Sequence, residues 1–228
     1  MFLQKFFNEK FWREIAKFEN IIIGLSIDAI GDRYNAIRYH GEWSTTEKNF
    51  REICKYLSMN RKYGFSLNLN IVHQLANLDQ STLLSDFIQK TNNTFDKCRA
   101  YYTLMPIGDN PCWDLNNVPV EILEKQLGLM LNNTRLEKEY TRNISNAIKY
   151  NQFKNKHAQE VLKREKWFKQ TRGINLWNTR PDWWMIYKKH AEPKGVAHKA
   201  KDNVIGERIK AENLSNTLKN FLPHNKDG

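Results

Sequence analysis

Cysteine is scarce in this chain: Cys54, Cys98 and Cys112 are the only three in 228 residues, an odd number separated by 44 and 14 positions. With that number and spacing, reduced thiols in a cytosolic compartment are a simpler reading than a disulfide framework. Long apolar runs are missing as well. The run Ile21-Ile22-Ile23 is typical of their length, far short of the ~20 residues that cross a bilayer, so no membrane partner is expected. The apolar opening is interrupted by Asn8, Glu9 and Lys10 and has no small-residue cleavage site, which makes it a poor secretory signal. Histidines 40, 73, 157, 190, 198 and 224 form no metal-ligand spacing. There is no glycine-rich phosphate loop, nucleophile motif, internal repeat or low-complexity tract.

What is present suits a globular protein with a sizeable core: 40% hydrophobic and 12% aromatic residues, too many for wholesale disorder. The net charge of +11 is concentrated in one part. Residues 1–140 balance 17 Lys/Arg against 17 Asp/Glu, and residues 141–228 carry 19 against 8, which accounts for the whole excess (19 − 8 = 11). Nucleic-acid binding is therefore an expectation for the C-terminal part alone.

The first 140 residues alternate between two periodicities. Residues 2–18 place Phe7, Phe11, Ile15 and Phe18 at helical spacing, and 21–27 read as a strand. Ser44-Thr45-Thr46-Glu47 has the form of a capping box before a helix bearing Phe50, Ile53, Cys54 and Leu57. A second strand is expected over 65–73. A short helix capped by Asp79 or Ser81 follows, then a third strand over 99–105. Residues 106–117 form a turn-rich link. Pro119 opens a helix, Asn132-Asn133-Thr134 breaks it, and further helices follow around Leu136–Ile148 and Val161–Phe168. Beyond residue 191 the pattern weakens to one marginal helix.

Both leading strands alternate strictly. Ile21, Ile23, Leu25 and Ile27 oppose Ile22, Gly24, Ser26 and Asp28, and Phe65, Leu67, Leu69 and Ile71 oppose Ser66, Asn68 and Asn70. A parallel sheet covered on both sides reads apolar on both faces. One apolar and one polar face suits a barrel wall with helices outside and a ligand-lined lumen, or a one-sided antiparallel sheet. The order helix, strand, helix, strand, helix, strand favours βαβ units. From Ser26 to Asp32 the chain leaves a strand end and enters a connection of roughly sixteen residues with Arg33, Tyr34, Arg38, Tyr39, His40 and Trp43, the place where barrel enzymes carry their sites. Asp28 there is suited to a ligand hydroxyl or ammonium and Arg38 to a carboxylate or phosphate. The alternative is that Asp28 caps a turn and Arg38 pairs with an acid such as Glu42.

The run Leu25-Ser26-Ile27-Asp28-Ala29-Ile30-Gly31, followed by Tyr34 to Tyr39 and Gly41-Glu42-Trp43, resembles a group of radical S-adenosylmethionine proteins often labelled twitch-domain-containing. Asn49, the stretch from Asn68 to Asn77, Asn116-Asn117-Val118-Pro119, Arg172-Gly173 and Thr179-Arg180-Pro181 extend the resemblance over roughly residues 1–190. Ala29 stands where that family usually has glycine. A larger departure is the absence of the Cys-x3-Cys-x2-Cys loop that would hold a [4Fe–4S] cluster. Cys98 and Cys112 alone are too few for an auxiliary cluster, and the three cysteines read more simply as buried or incidental.

The resemblance implies an α/β fold: residues 1–118 as the later β/α units of a partial radical-SAM barrel, 119–190 as a helical C-terminal region, and 191–228 as a basic tail. It implies that Ser26, Asp28, Asn68 and Asn70 face S-adenosylmethionine, that Arg38 contacts substrate, and that no residue here binds the metal. The expected function is the C-terminal portion of a radical S-adenosylmethionine enzyme, inactive alone, as either a truncated product or one piece completed by a separately encoded N-terminal half carrying the cluster. The alternative is a non-catalytic binding module whose basic tail contacts nucleic acid or a protein. Trp177, Trp183, Trp184 and Tyr187 among Arg172, Arg180, Lys188 and Lys189 either stack on single-stranded nucleic acid or pack the closing helix.

Overall fold

Three runs with period-two alternation form parallel strands: β1 Ile22–Ser26, β2 Phe65–Val72 and β3 Cys98–Met105, in the spatial order β1-β2-β3. The computed structural model describes residues 8–38, 40–105, 113–172 and 180–192. By its internal contacts the chain divides into two units, Met1–Glu192 and Pro193–Gly228. The second unit, with the marginal helix expected there, lies outside the described residues, as do Cys112 and Trp177.

Helix α1 (Glu9–Ile15) precedes β1, and the short α2 (Asp32–Ile37) and long α3 (Trp43–Asn60) connect β1 to β2. Helix α4 (Ser81–Thr94) connects β2 to β3. Both crossovers pack on one face of the sheet. Leu25, Ile27, Leu67, Leu69 and Ile71 are buried there against Phe50, Ile53 and Leu57 of α3 and Leu84 and Phe87 of α4. Each such aliphatic side chain contributes about 1.5–3 kcal/mol by leaving water. The opposite face has no cover among the described residues: Ile22, Gly24 and Ser26 are exposed, and Ser66, Asn68 and Asn70 are half-buried. The sheet is one-sided as the alternation allows, and it is parallel.

Four helices follow: α5 (Val120–Leu129), α6 (Arg135–Lys149), α7 (Asn155–Arg172) and α8 (Pro181–Ala191). Ile122, Leu123, Ile144, Val161, Trp183 and Tyr187 form a second core, which also takes in Ala36, Leu75 and Leu78. Leu136 and Tyr140 of α6 belong instead to the core beneath the sheet. Both cores therefore draw residues from each side of position 118. None of the described helices is long and apolar enough to cross a membrane.

Several local expectations are corrected. The helix expected over 2–18 is described from Glu9, capped by the Asn8 side chain, and ends at Ile15. Ser44 to Glu47 form no capping box: α3 starts two residues earlier than a Ser44 cap would place it, at Trp43 with Glu42 as N-cap, so those positions lie inside it. Ser44 and Thr45 hydroxyls donate to Glu42, and Glu47 pairs with Arg51. The box is found at α6, where Thr134 accepts from the Glu137 N–H and the Glu137 carboxylate accepts from the Thr134 N–H. Neither Asp79 nor Ser81 caps α4; Gln80 occupies that position without a side-chain bond to the helix N-terminus, its Oε1 accepting instead from the Ile30 N–H at 3.2 Å. The connection from Asp28 to Trp43 is partly helical, with Gly31 entering α2 at φ +62°, a left-handed angle that glycine adopts without penalty.

Candidate functional site

Strand register determines which polar groups meet on the uncovered face. Ser26 stands opposite Asn70, which stands opposite Thr103, and Gly24, Asn68 and Tyr101 form the neighbouring row. The Thr103 hydroxyl donates to Asn68 Oδ1 at 3.0 Å, and Asn68 Nδ2 donates to Asn70 Oδ1 at 3.2 Å. Ser26 Oγ and Asn70 Nδ2 make no hydrogen bond among the described residues. The row thus presents an oriented amide donor and a hydroxyl toward whatever approaches the sheet. Ser26, Asn68 and Asn70 are brought together as expected. Thr103 was missed, although extending the same alternation into β3 would have found it.

Asp28 departs from the row. Beyond the end of β1 its side chain turns into the protein, where it is 2% exposed. Its Oδ1 accepts from the Val72 N–H at 2.8 Å, and its Oδ2 lies 2.6 Å from Arg38 Nη2. Burial pushes the carboxyl above its usual range, while the Val72 N–H and the Arg38 guanidinium act in the opposite sense. Asn77 completes the corner by donating to the carbonyls of Asp28 and Val72. Both oxygens of Asp28 are engaged, so it ties β1 to β2 and holds Arg38. The pairing of Arg38 with Glu42 does not form, because Glu42 is taken up by Ser44 and Thr45.

Two further polar groupings lie near the C-terminal ends of the strands. Asp79 sits 3.4 Å from both Arg33 and Arg180, and Arg180 also reaches Asp182 at 3.2 Å and Gln126 at 3.1 Å while lying over the Trp183 ring. These contacts span up to 101 positions, and no sequence signal foretells them. His73 stacks on Tyr140 with ring centroids 3.6 Å apart, and burial lowers its pKa to about 3. Of the basic aromatic segment, Trp183 and Tyr187 are fully buried and Arg180 is held in ion pairs, while Trp177 and the Arg172 side chain lie outside the described residues.

The described residues do not fit an iron–sulfur cluster. Cys54 and Cys98 are buried in the core beside each other, and the Cys54 thiol is pushed far up by its contact with Cys98 and by burial. Such thiols resist forming the thiolates that a cluster needs. Among the described residues no three His, Cys, Asp or Glu side chains are grouped to hold a metal ion. The open row offers an amide donor and hydroxyls to a polar ligand. Comparison with protein-family models, with curated proteins and with solved structures finds no match to this chain.

Proposed function

We propose that this chain supplies one wall of a β/α barrel of the radical S-adenosylmethionine type, with its uncovered sheet face turned toward the cofactor or substrate. The observation that carries this reading is the pairing of sequential strand order with a bare polar face. Strands in the order β1-β2-β3 with both crossovers packed on one side repeat the unit from which such barrels are built. Asn70 Nδ2 and Ser26 Oγ are the groups that would hold S-adenosylmethionine, with Asn68 and Thr103 fixing the Asn70 amide. Arg38 stands near the same strand ends, tied back by Asp28.

Because the described cysteines, Cys54 and Cys98, do not suit a cluster, the reading assigns the cluster to a separately encoded N-terminal half, whose strands would pair with the edge of β1 that no described strand occupies. Radical generation is that partner's contribution. This chain's residues bind and orient.

The test is calorimetric titration of S-adenosylmethionine into this chain, alone and with a Cys-x3-Cys-x2-Cys partner reconstituted anaerobically, followed by assay for 5′-deoxyadenosine. The expected result is binding that weakens about tenfold in Asn70→Leu, a loss of about 1.4 kcal/mol, and 5′-deoxyadenosine only from the mixture. Binding that is absent in both forms, or unaffected by Asn70→Leu, would overturn the reading.

The charge of residues 141–228 favours a second reading, in which the basic part contacts nucleic acid. It requires steeply salt-dependent binding that disappears on deletion of 191–228. No binding at low salt removes it.

A further inference from the structure

Helix α6 buries Leu136, Tyr140, Ile144 and Ala147 and turns Arg135, Lys138, Arg142 and Lys149 outward. These four positions fall on one face of the helix and form a row about 21 Å long. All four are exposed, and no apolar side chain interrupts the row; Ser145 adds an exposed hydroxyl between Arg142 and Lys149.

The row keeps a positive excess. Lys138, Arg142 and Lys149 form no ion pair among the described residues. Arg135 pairs with Glu139, with Nε to Oε1 at 3.0 Å, and Asp114 borders the same cavity as Arg142 without pairing to it. The other carboxylate of α6, Glu137, is buried and turned back to Thr82 and Thr134. Four cations against Glu139 and Asp114 leave two positive charges over.

Helix stability does not account for this arrangement. Arg135 and Lys138 stand in the first four positions of α6, where the partial positive charge of a helix N-terminus disfavours cations. Arg135 and Lys138, and then Lys138 and Arg142, are like-charged neighbours three and four positions apart, which repel. On other helices a cation at such a spacing is matched by an acid: Lys17 by Glu14, Arg51 by Glu47 and Arg164 by Glu160. An anionic partner laid along α6 removes both penalties.

The C-terminal end of the row supplies a second observation. Tyr150 follows α6 at 59% exposure, and Lys149 Nζ lies 5.0 Å from its ring centroid. Cations in file that end at a solvent-exposed aromatic ring combine the two elements of single-strand recognition, charge for successive phosphates and a π-face for a base.

We infer that the outer face of α6 binds single-stranded nucleic acid, with Arg135, Lys138, Arg142 and Lys149 on the phosphates and a base stacked on Tyr150. A row without apolar side chains is unsuited to insertion into a membrane. An acidic peptide would match the charge and leave Tyr150 without a stacking partner. The inference rests on the nucleic-acid reading above and adds to residues 191–228 a fixed surface within the folded unit.

The experiment is fluorescence-anisotropy titration of the full-length chain with a labelled oligouridylate of about twelve nucleotides over a range of salt concentrations. Poly-L-glutamate and phosphatidylserine vesicles serve as polyanions without bases. The double variant Lys138→Gln with Arg142→Gln should lower the slope of log affinity against log salt by about 1.4, at roughly 0.7 per phosphate contact. Lys48→Gln with Lys55→Gln, at exposed positions of α3, makes the same change in net charge and should leave the slope as in wild type. Tyr150→Ser should weaken oligouridylate about tenfold at unchanged slope and leave poly-L-glutamate unaffected. Retained binding with equal slopes in the two double variants, or unchanged affinity in Tyr150→Ser, would overturn the inference and leave the contact with residues 191–228 standing. Polyglutamate or vesicles bound as tightly as oligouridylate, or no binding of the oligonucleotide at low salt, would remove both.

Discussion

Arg38 closes over the buried carboxylate of Asp28, with Nη2 2.6 Å from Oδ2, while Oδ1 of the same carboxylate accepts the Val72 N–H. A residue from the connection after β1 thereby joins two strand ends. Position along the chain made both residues accessible in principle. Tertiary packing engaged them with each other.

This pair makes stability depend on pH in a defined direction. The folded pKa of Asp28 lies above its ordinary 3.8, since burial outweighs its partners. A raised carboxyl pKa means that the stability this group contributes is fully present below about 3.8 and is lost as pH rises through the folded value. Arg38→Met removes an influence that holds the folded pKa down, so it rises further. The variant should lose about 1–3 kcal/mol at pH 7, discounted because Arg38 is partly exposed, and distinctly less near pH 4. Urea denaturation at the two pH values measures the difference; equal losses would contradict it.

His73 acts in the opposite sense. Its folded pKa of about 3 lies below the ordinary 6.5, so the unfolded chain takes up a proton that the native state refuses. Stability from this group is present above 6.5 and is lost as pH falls from 6.5 toward 3. On acidification to pH 4.5, wild type should lose on the order of 2 kcal/mol more than His73→Phe, which keeps a ring against Tyr140. Denaturation midpoints followed from pH 7.5 to 4.5 give the comparison. Parallel pH profiles for the two proteins would show that His73 is not the source.

Arg61 should be among the most sensitive positions outside any site. Its buried guanidinium donates to the carbonyls of Ala16, Phe18, Glu19, Tyr63 and Gly64, joining the chain before β1 to the turn before β2. Lysine keeps the charge but cannot reproduce the planar set of donors. Arg61→Lys should cost about 3 kcal/mol, since several carbonyls lose a charged donor. Thermal unfolding tests this, and a loss within ~0.5 kcal/mol, as at an ordinary surface site, would count against it.

The two Ser/Thr-x-x-Glu sequences should respond differently. Thr134→Ala removes a formed capping box and should destabilise by about 1 kcal/mol. Ser44→Ala lies within α3 and exposed, and should stay within ~0.5 kcal/mol. Chemical denaturation of both variants distinguishes them, and a larger loss at Ser44 would return the box to α3.

The two sequences are alike in composition, which is why a four-residue pattern alone could not choose between them. At α3 the helix starts two residues earlier than a Ser44 cap would place it, at Trp43, whose N–H is taken by Asn35 Oδ1 at 2.6 Å. At α6 the box stands after Asn132, whose φ of +56° breaks the chain, and Glu137 also receives the Thr82 hydroxyl from α4. Contacts from elsewhere in the fold accompany each helix start.

The strands were legible because their signal is local. Apolar residues at every second position of 21–27 and 65–71 define a buried face within a single segment, and the residues between them define the polar face that carries Ser26, Asn68 and Asn70. The switch to helical spacing after Pro119 is local in the same sense. Sequence by itself thus determined an α/β chain with a one-sided polar face and a helical second part. The order of elements pointed to parallel strands, but only the tertiary structure decided that Asp28 turns inward to Arg38 and that Cys54 meets Cys98 in the core. It also decided that Asp79 is shared by Arg33 and Arg180, and that His73 is buried against Tyr140. Those outcomes depend on partners tens of residues away, whose positions follow from how whole faces pack, and no periodicity within one segment encodes them.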